Sequence, residues 1–417
     1  MPARRARQSE RFLRTMRVRS MHERWMVLSG TTRNLRLRFL ITTFVLVLSS
    51  ALLASVSACS AATLKRHGSE VRTWEQEVRR RGLDPATLMN PLAISDELRE
   101  AARAAVGSGT EFEKLRRLHR FLFDEEGFPF EYRSAGTYSA IEAYRLRRGN
   151  CASFTILFIA MARSVGLPVR AALPKVTPRV EKVGDLVVVS DHIVAMYKRP
   201  GGADVFDFAP SRESRLVGLR PIDDMWISAV YFNNLGAEAL MDGDLQSAST
   251  HLQHAVTLVP DFASALGNLG LVRLRLGDVN GAFEAYRQSL EIDPESETVL
   301  HNLASLYLSL GRVAEARTAV AATGRHGRDP FTLLLHGDFE MRDGKIRRAL
   351  RLYRRAARTN PELADTHLAV GRAEMARGRT AAARKAMVRA LAVEPDNADA
   401  LDALAKLGEV ARTQSTL

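Results

Sequence analysis

The sequence predicts an α+β domain followed by an all-α solenoid, and three observations carry that expectation. From residue 229 to about 397 small residues recur at a nearly constant step, Gly236, Gly270, Ala304, Gly337 and Gly371, which are 34, 34, 33 and 34 residues apart. Ahead of them the apolar pattern changes from helical spacing to strand-like runs after Pro168. At the amino end, residues 1–38 hold eleven Arg against Glu10 and Glu23, and an uncharged stretch follows to Cys59.

That leader reads as a targeting segment. Arg33, Arg36 and Arg38 precede the apolar run from Phe39 to Ala54, and Val56-Ser-Ala-Cys59 closes it with small residues. The last four residues resemble the lipobox of bacterial lipoproteins, which implies lipidation at Cys59, loss of Met1–Ala58, and a chain anchored to a membrane of the cell envelope, facing the periplasm or the outside. Ser60 resembles the outer-membrane default. The other reading keeps residues 39–58 as one transmembrane helix, since about 20 apolar residues span a bilayer. The flank is long, so translation could begin at Met21 or Met26. Most of the net charge of +13 sits in this leader, and the remainder is expected to be spread thinly over the chain, which argues against a nucleic-acid partner.

Residues 60–110 read as a polar stalk and helical lead-in, punctuated by Gly82, Pro85, Pro91 and Gly107-Ser-Gly. Phe112, Leu115, Leu118 and Leu122 stand at helical spacing. His119, on the same charged helix, is expected on a solvated face.

The next helix opens at Cys151. Asn150 is a good N-cap, Phe154–Val165 is densely apolar, and Gly166 with Pro168 stops the helix. In the first turn the unpaired N–H groups and the helix dipole favour thiolate over thiol. Beyond it, strands are expected over Val169–Val176, Asp185–Lys198 and Ala203–Ala209, with Arg199-Pro-Gly-Gly as a hairpin turn. If Lys198 faces Ala203, Asp207 faces Val194, and His192 lies one diagonal from Asp207 on the same sheet face. A slip of one residue would separate them.

Gly149-Asn-Cys151, Asp191-His192 and Val205-Phe-Asp207-Phe-Ala-Pro210, taken in that order, resemble the transglutaminase-like branch of the papain-like cysteine enzymes. The resemblance implies Cys151 as nucleophile, His192 as general base and acid, and Asp207 as the residue that holds the imidazole. Val194 and the Phe-Ala after Asp207 depart from the family's usual wording, which bears on substrate rather than on the three positions. The Cys151 backbone N–H is a natural oxyanion donor. Hydrolysis of a peptide or amide is expected over crosslinking, because water is in excess unless an amine is held in place. No cofactor, metal spacing or phosphate loop is visible.

The 34-residue period, with Pro260, Pro294, Pro361 and Pro395 closing units, resembles the tetratricopeptide repeat. Five units over 227–410, with a capping helix and a tail at 411–417, are expected to offer a groove for a protein or peptide. The third unit holds Arg328 where the others close on Pro. The domain expected before it, over residues 111–226, leaves almost no linker, which implies a packed junction and a groove fixed relative to Cys151. The alternative reading, from a different functional class, is a noncatalytic envelope scaffold whose papain-like domain is inactive.

Overall fold

The computed structural model describes residues 73–415, apart from 124–127, 129, 134, 175–178, 184–185, 208–217 and 324–328. The leader, the apolar run and Cys59 lie outside the described residues. Among the described residues, no helix is long and apolar enough to cross a membrane.

Three helices come first: α1 (Trp74–Arg80), α2 (Asp96–Val106) and α3 (Glu111–Phe123). Thr73 closes a capping box on α1 and Ser95 caps α2. Val78, Leu98, Ala102, Leu115, Leu118 and Leu122 are all fully buried, so residues ahead of 111 already contribute to the core. Phe112 stays exposed, with the Arg116 guanidinium over its ring.

The short strand β1 (Glu131–Tyr132), helix α4 (Ala140–Leu146) and strand β2 (Arg148–Gly149) lead into α5 (Cys151–Ser164). Strands β1 and β2 pair in parallel. Every residue of α5 from Ala152 to Ala162 is buried, as its dense apolar run requires. Beside it lies a four-stranded antiparallel sheet in the order β7-β6-β3-β8, built from β3 (Val169–Pro174), β6 (Val194–Arg199), β7 (Gly202–Phe206) and β8 (Leu219–Ile222). Lys198 faces Ala203 and Ala195 faces Phe206, the register read from the hairpin signal.

The sequence reading treats Asp185–Lys198 as one strand, and the structure divides it. β5 (Leu186–Ser190) pairs with β4 (Arg179–Val183) in a separate hairpin, and the chain leaves strand geometry at Asp191–Ile193 before entering β6. Among the described residues the connector has no sheet neighbour, and α5 holds it: Thr155 Oγ1 donates to the Ile193 carbonyl at 3.1 Å.

The solenoid begins with α6 (Asp224–Met241) and α7 (Leu245–Leu258), and continues as α8 (Ala263–Arg275) with α9 (Val279–Ile292), then α10 (Glu297–Ser309) with α11 (Val313–Ala322). Two further pairs, α12 (Pro330–Arg342) with α13 (Ile346–Thr359) and α14 (Ala364–Met375) with α15 (Thr380–Val393), precede α16 (Ala398–Ser415). The small residues mark where paired helices cross: a Cβ at Gly270 would fall 2.6 Å from the Tyr286 ring, and one at Gly371 2.5 Å from Met387. In the irregular third unit the second helix has 10 residues, against 14 in each of the other four.

One apolar core runs without a break from Val78 in α1 through α5 and the sheet to Val272 in α8. Thr73–Leu417 accordingly forms a single compact unit. Charge is less evenly spread than the sequence reading held. Residues 342–391 carry fourteen Arg and Lys against Asp343, Glu362, Asp365 and Glu374, so the last repeats are strongly basic and the rest of the chain after the leader is net acidic.

Candidate functional site

Asn150 starts α5 as the sequence predicts, its side chain accepting the Ser153 N–H at 3.0 Å. Cys151 is therefore the first helical residue, where its own N–H has no partner within the helix. It is partly exposed, and among the described residues it is the one cysteine, with a free thiol.

The Asn150 side chain is itself held from outside the helix. Its Nδ2 donates to Thr137 Oγ1 at 2.7 Å, and Thr137 Oγ1 donates in turn to Glu238 of α6 at 2.7 Å. Ser153 Oγ accepts the Tyr138 N–H at 2.8 Å and donates to the Gly136 carbonyl at 3.2 Å. Gly149 has no room for a side chain beside them, because a Cβ there would lie 2.6 Å from Ser153 Cβ and 3.3 Å from Phe130.

His192 sits in the connector between β5 and β6, and Asp207 directly follows β7. The two come together at 2.9 Å, His192 Nε2 to Asp207 Oδ1. The Cys151 thiol is within hydrogen-bonding range of the same imidazole, which leaves Nδ1 as the nitrogen to serve it. Burial works against a charged ring, yet the Asp207 carboxylate and the Cys151 sulfur outweigh it and raise His192 from 6.5 to about 9. All three residues singled out in the sequence thus converge on one imidazole.

Two neighbours differ from expectation. His119 is packed and not solvated: its ring lies 5.4 Å from Phe206 and 6.3 Å from Phe158, centroid to centroid. Burial first, then Arg116, lowers it to about 4. The reason is helical geometry, since position 119 lies one turn beyond Leu115 and shares its buried face. Asp191, next to His192, is raised to about 7 by burial, against the opposing effects of Ser264 and Arg220. Among the described residues, no group of His, Cys, Asp and Glu is arranged to hold a metal ion.

The sequence reading missed three asparagines. Asn234, Asn268 and Asn302 each immediately precede the crossing pair of a repeat, at steps of 34, and each bonds the backbone of β5 or of the residue just after it. The signal was present in the repeat alignment. What was absent was any reason to connect it with Val187–Asp191.

Residues 99–199 match the transglutaminase-like superfamily, and residues 234–297, 273–332 and 340–407 match tetratricopeptide repeats. No curated protein matches the chain. Among solved structures it is similar to pilF of Pseudomonas aeruginosa, at 20% identity over 46% of this chain and 89% of that one, with a TM-score of 0.41. It is also similar to PilW, a type IV pilus biogenesis factor, at 19% identity over 43% and 84% of the two chains, with a TM-score of 0.37. The chain therefore carries a transglutaminase-like domain joined to a tetratricopeptide array.

Proposed function

We propose that this protein is an exported, lipid-anchored cysteine acyl-transfer enzyme that hydrolyses a peptide or amide bond. The observation that carries the reading is the shared imidazole: His192 meets Asp207 at 2.9 Å on one side and the thiol of Cys151 on the other. In this reading His192 takes the Cys151 proton and sulfur adds to the substrate carbonyl carbon. The oxyanion is met by the Cys151 N–H, which the helix leaves unpaired. As the C–N bond breaks, the imidazolium gives its proton to the departing amine, leaving a thioester. Water then loses a proton to His192, adds its oxygen to the acyl carbon and releases the thiol. Asp207 keeps the ring oriented and favours its charged form throughout.

Hydrolysis is preferred over crosslinking because water, in excess, outcompetes an amine unless one is held in place. The anchor is assigned to Cys59 from its lipobox-like setting, which places the enzyme at the cell envelope. A protein or peptide partner has room in the later part of the array, where His301, Leu308, Phe331, Leu334 and Arg372 line a cavity of about 590 Å³.

Alkylation of Cys151 by iodoacetamide tests the site. His192→Ala is expected to slow it at neutral pH and change its pH profile, and an unaltered rate and profile would refute the pairing. A noncatalytic scaffold needs the imidazole turned away from the cysteine, which the same measurement would reveal. Mass spectrometry of membrane-extracted protein tests the anchor, and an intact Phe39–Ala58 segment would refute it.

A further inference from the structure

Strand β5 has two edges. β4 pairs with one, and the other would expose the N–H and C=O groups of alternate residues. The array supplies what a third strand would. Asn302 Oδ1 accepts the Val187 N–H at 2.7 Å, and Asn302 Nδ2 donates to the Val187 carbonyl at 2.7 Å. Asn268 repeats this on Val189, at 3.0 and 2.8 Å.

The ladder continues to the residue beside His192. Asn234 Oδ1 accepts the Asp191 N–H at 3.3 Å, Asn233 Nδ2 donates to Asp191 Oδ2 at 3.1 Å, and Ser264 Oγ donates to Asp191 Oδ1 at 3.1 Å. Asn268 Nδ2 also reaches Asn233 Oδ1 at 2.9 Å, which ties neighbouring rungs together.

A carboxamide offers one acceptor and one donor in a single plane, the same pair a peptide group presents, so each side chain can replace one residue of a missing strand. Rungs on Val187, Val189 and Asp191 follow the two-residue period of a strand. Asn233, Asn234, Asn268 and Asn302 are all buried, at 0–3% exposure, where losing a partner is costly. In the fourth unit the corresponding residue is Leu335, followed by His336, and the ladder ends where the hairpin ends.

We propose that the groove of the first three repeats is a clamp for the chain's own β5, and that Asn233, Asn234, Asn268, Asn302 and Ser264 are positioning residues for His192. Among the described residues, the connector that carries the imidazole has no sheet neighbour of its own. Its place relative to Cys151 and Asp207 is set from one side by the ladder and from the other by β6. This part of the groove is therefore filled by the chain itself, and a partner must use the cavity beyond His301. The inference rests on the acyl-transfer reading of Cys151, His192 and Asp207.

The test uses the full chain and follows Cys151 alkylation by iodoacetamide against pH, with circular dichroism melts alongside. Asn268→Ala and Asn302→Ala are each expected to slow alkylation at neutral pH by about tenfold, because a small displacement of a reacting group has large kinetic effects. Their pH profiles should move towards that of His192→Ala. His336→Ala, next to Leu335 in the fourth unit and outside the hydrogen-bond ladder, should keep the parent profile. If Asn268→Ala loses its cooperative melt, Asn302→Asp serves instead, since it keeps an acceptor for the Val187 N–H and sets an acidic oxygen against the Val187 carbonyl in place of the donor. Ladder variants with the parent profile, while His192→Ala is altered, would overturn the clamp and leave the acyl-transfer reading standing. A parent profile in His192→Ala as well would overturn both.

Discussion

Glu238, in the first repeat, accepts hydrogen bonds from the Thr137 hydroxyl at 2.7 Å and the Thr137 N–H at 3.2 Å, and from the Gly136 N–H at 3.1 Å. Thr137 in turn receives Asn150, so the start of the cysteine helix is tied to the array. Glu238→Ala leaves all three donors without this acceptor, and a loss of about 2 kcal/mol is expected by urea unfolding. Glu238→Gln, which keeps one acceptor oxygen, should lose less. A change below about 0.5 kcal/mol in Glu238→Ala would show that water replaces the carboxylate freely.

The charge on His192 predicts a pH dependence of stability. Folding raises the imidazole from 6.5 to about 9, so its contribution is fully present below 6.5 and is lost as pH rises through about 9. Asp191 acts in the same direction at lower pH, its contribution fading from 3.8 upwards through about 7. Stability should therefore fall steadily between pH 5 and 9, as read by chemical denaturation at each pH. In Asp207→Asn, burial is left opposed by Cys151 alone, and NMR titration should find His192 well below 9. A value still near 9 would remove Asp207 as a cause.

Gly149→Ala is expected to destabilise the protein by about 1–3 kcal/mol, since the new methyl overlaps Ser153 and neither neighbour can withdraw cheaply. Cys151 alkylation should slow as well, because Ser153 cannot move without releasing Tyr138 and Gly136. A parent-like melt would mean that β2 shifts as a body.

Deleting residues 229–417 removes Ala229–Phe232 and Leu240 from the one core that also holds α5. The truncated chain is expected to lose both its cooperative melt and its turnover of small model amides. From the sequence alone, with the array read as a recruiting module, only protein substrates would suffer. Full activity on small amides after truncation would restore that view.

What could be read from the sequence was what short-range chemistry decides. Asn150 as a cap and the Lys198–Ala203 register depend on residues within one element or one turn, the 34-residue step on one helix pair repeated, and each is found where expected. The order of Cys151, His192 and Asp207 was legible too, but not how the last two meet. The hairpin register sets Asp207 just after β7, while His192 stands in the connector before β6 and not on the sheet face expected for it. The division of Asp185–Lys198 was not legible, because β5 answers to Asn268 and Asn302, 79 and 115 residues from the valines they bond. His119 was misread for a simpler reason. Its charged neighbours along the chain outweighed its place on the turn after Leu115.

The break at Asp191–Ile193 places one short peptide under two authorities, the array on one side and the four-stranded sheet on the other. The family boundaries at 199 and 234 thus fall where the sequence changes character, while the working unit straddles them. A transplant of residues 99–199 into another scaffold would carry the cysteine and the histidine but leave behind Asp207 and every rung of the ladder. Exchanging the array for a foreign set of repeats would spare all three site residues and remove every hydrogen bond that the array makes to Val187, Val189 and Asp191. On the clamp proposed above, recombination at the apparent domain border would have to carry Asp207 and the asparagine ladder along with residues 99–199.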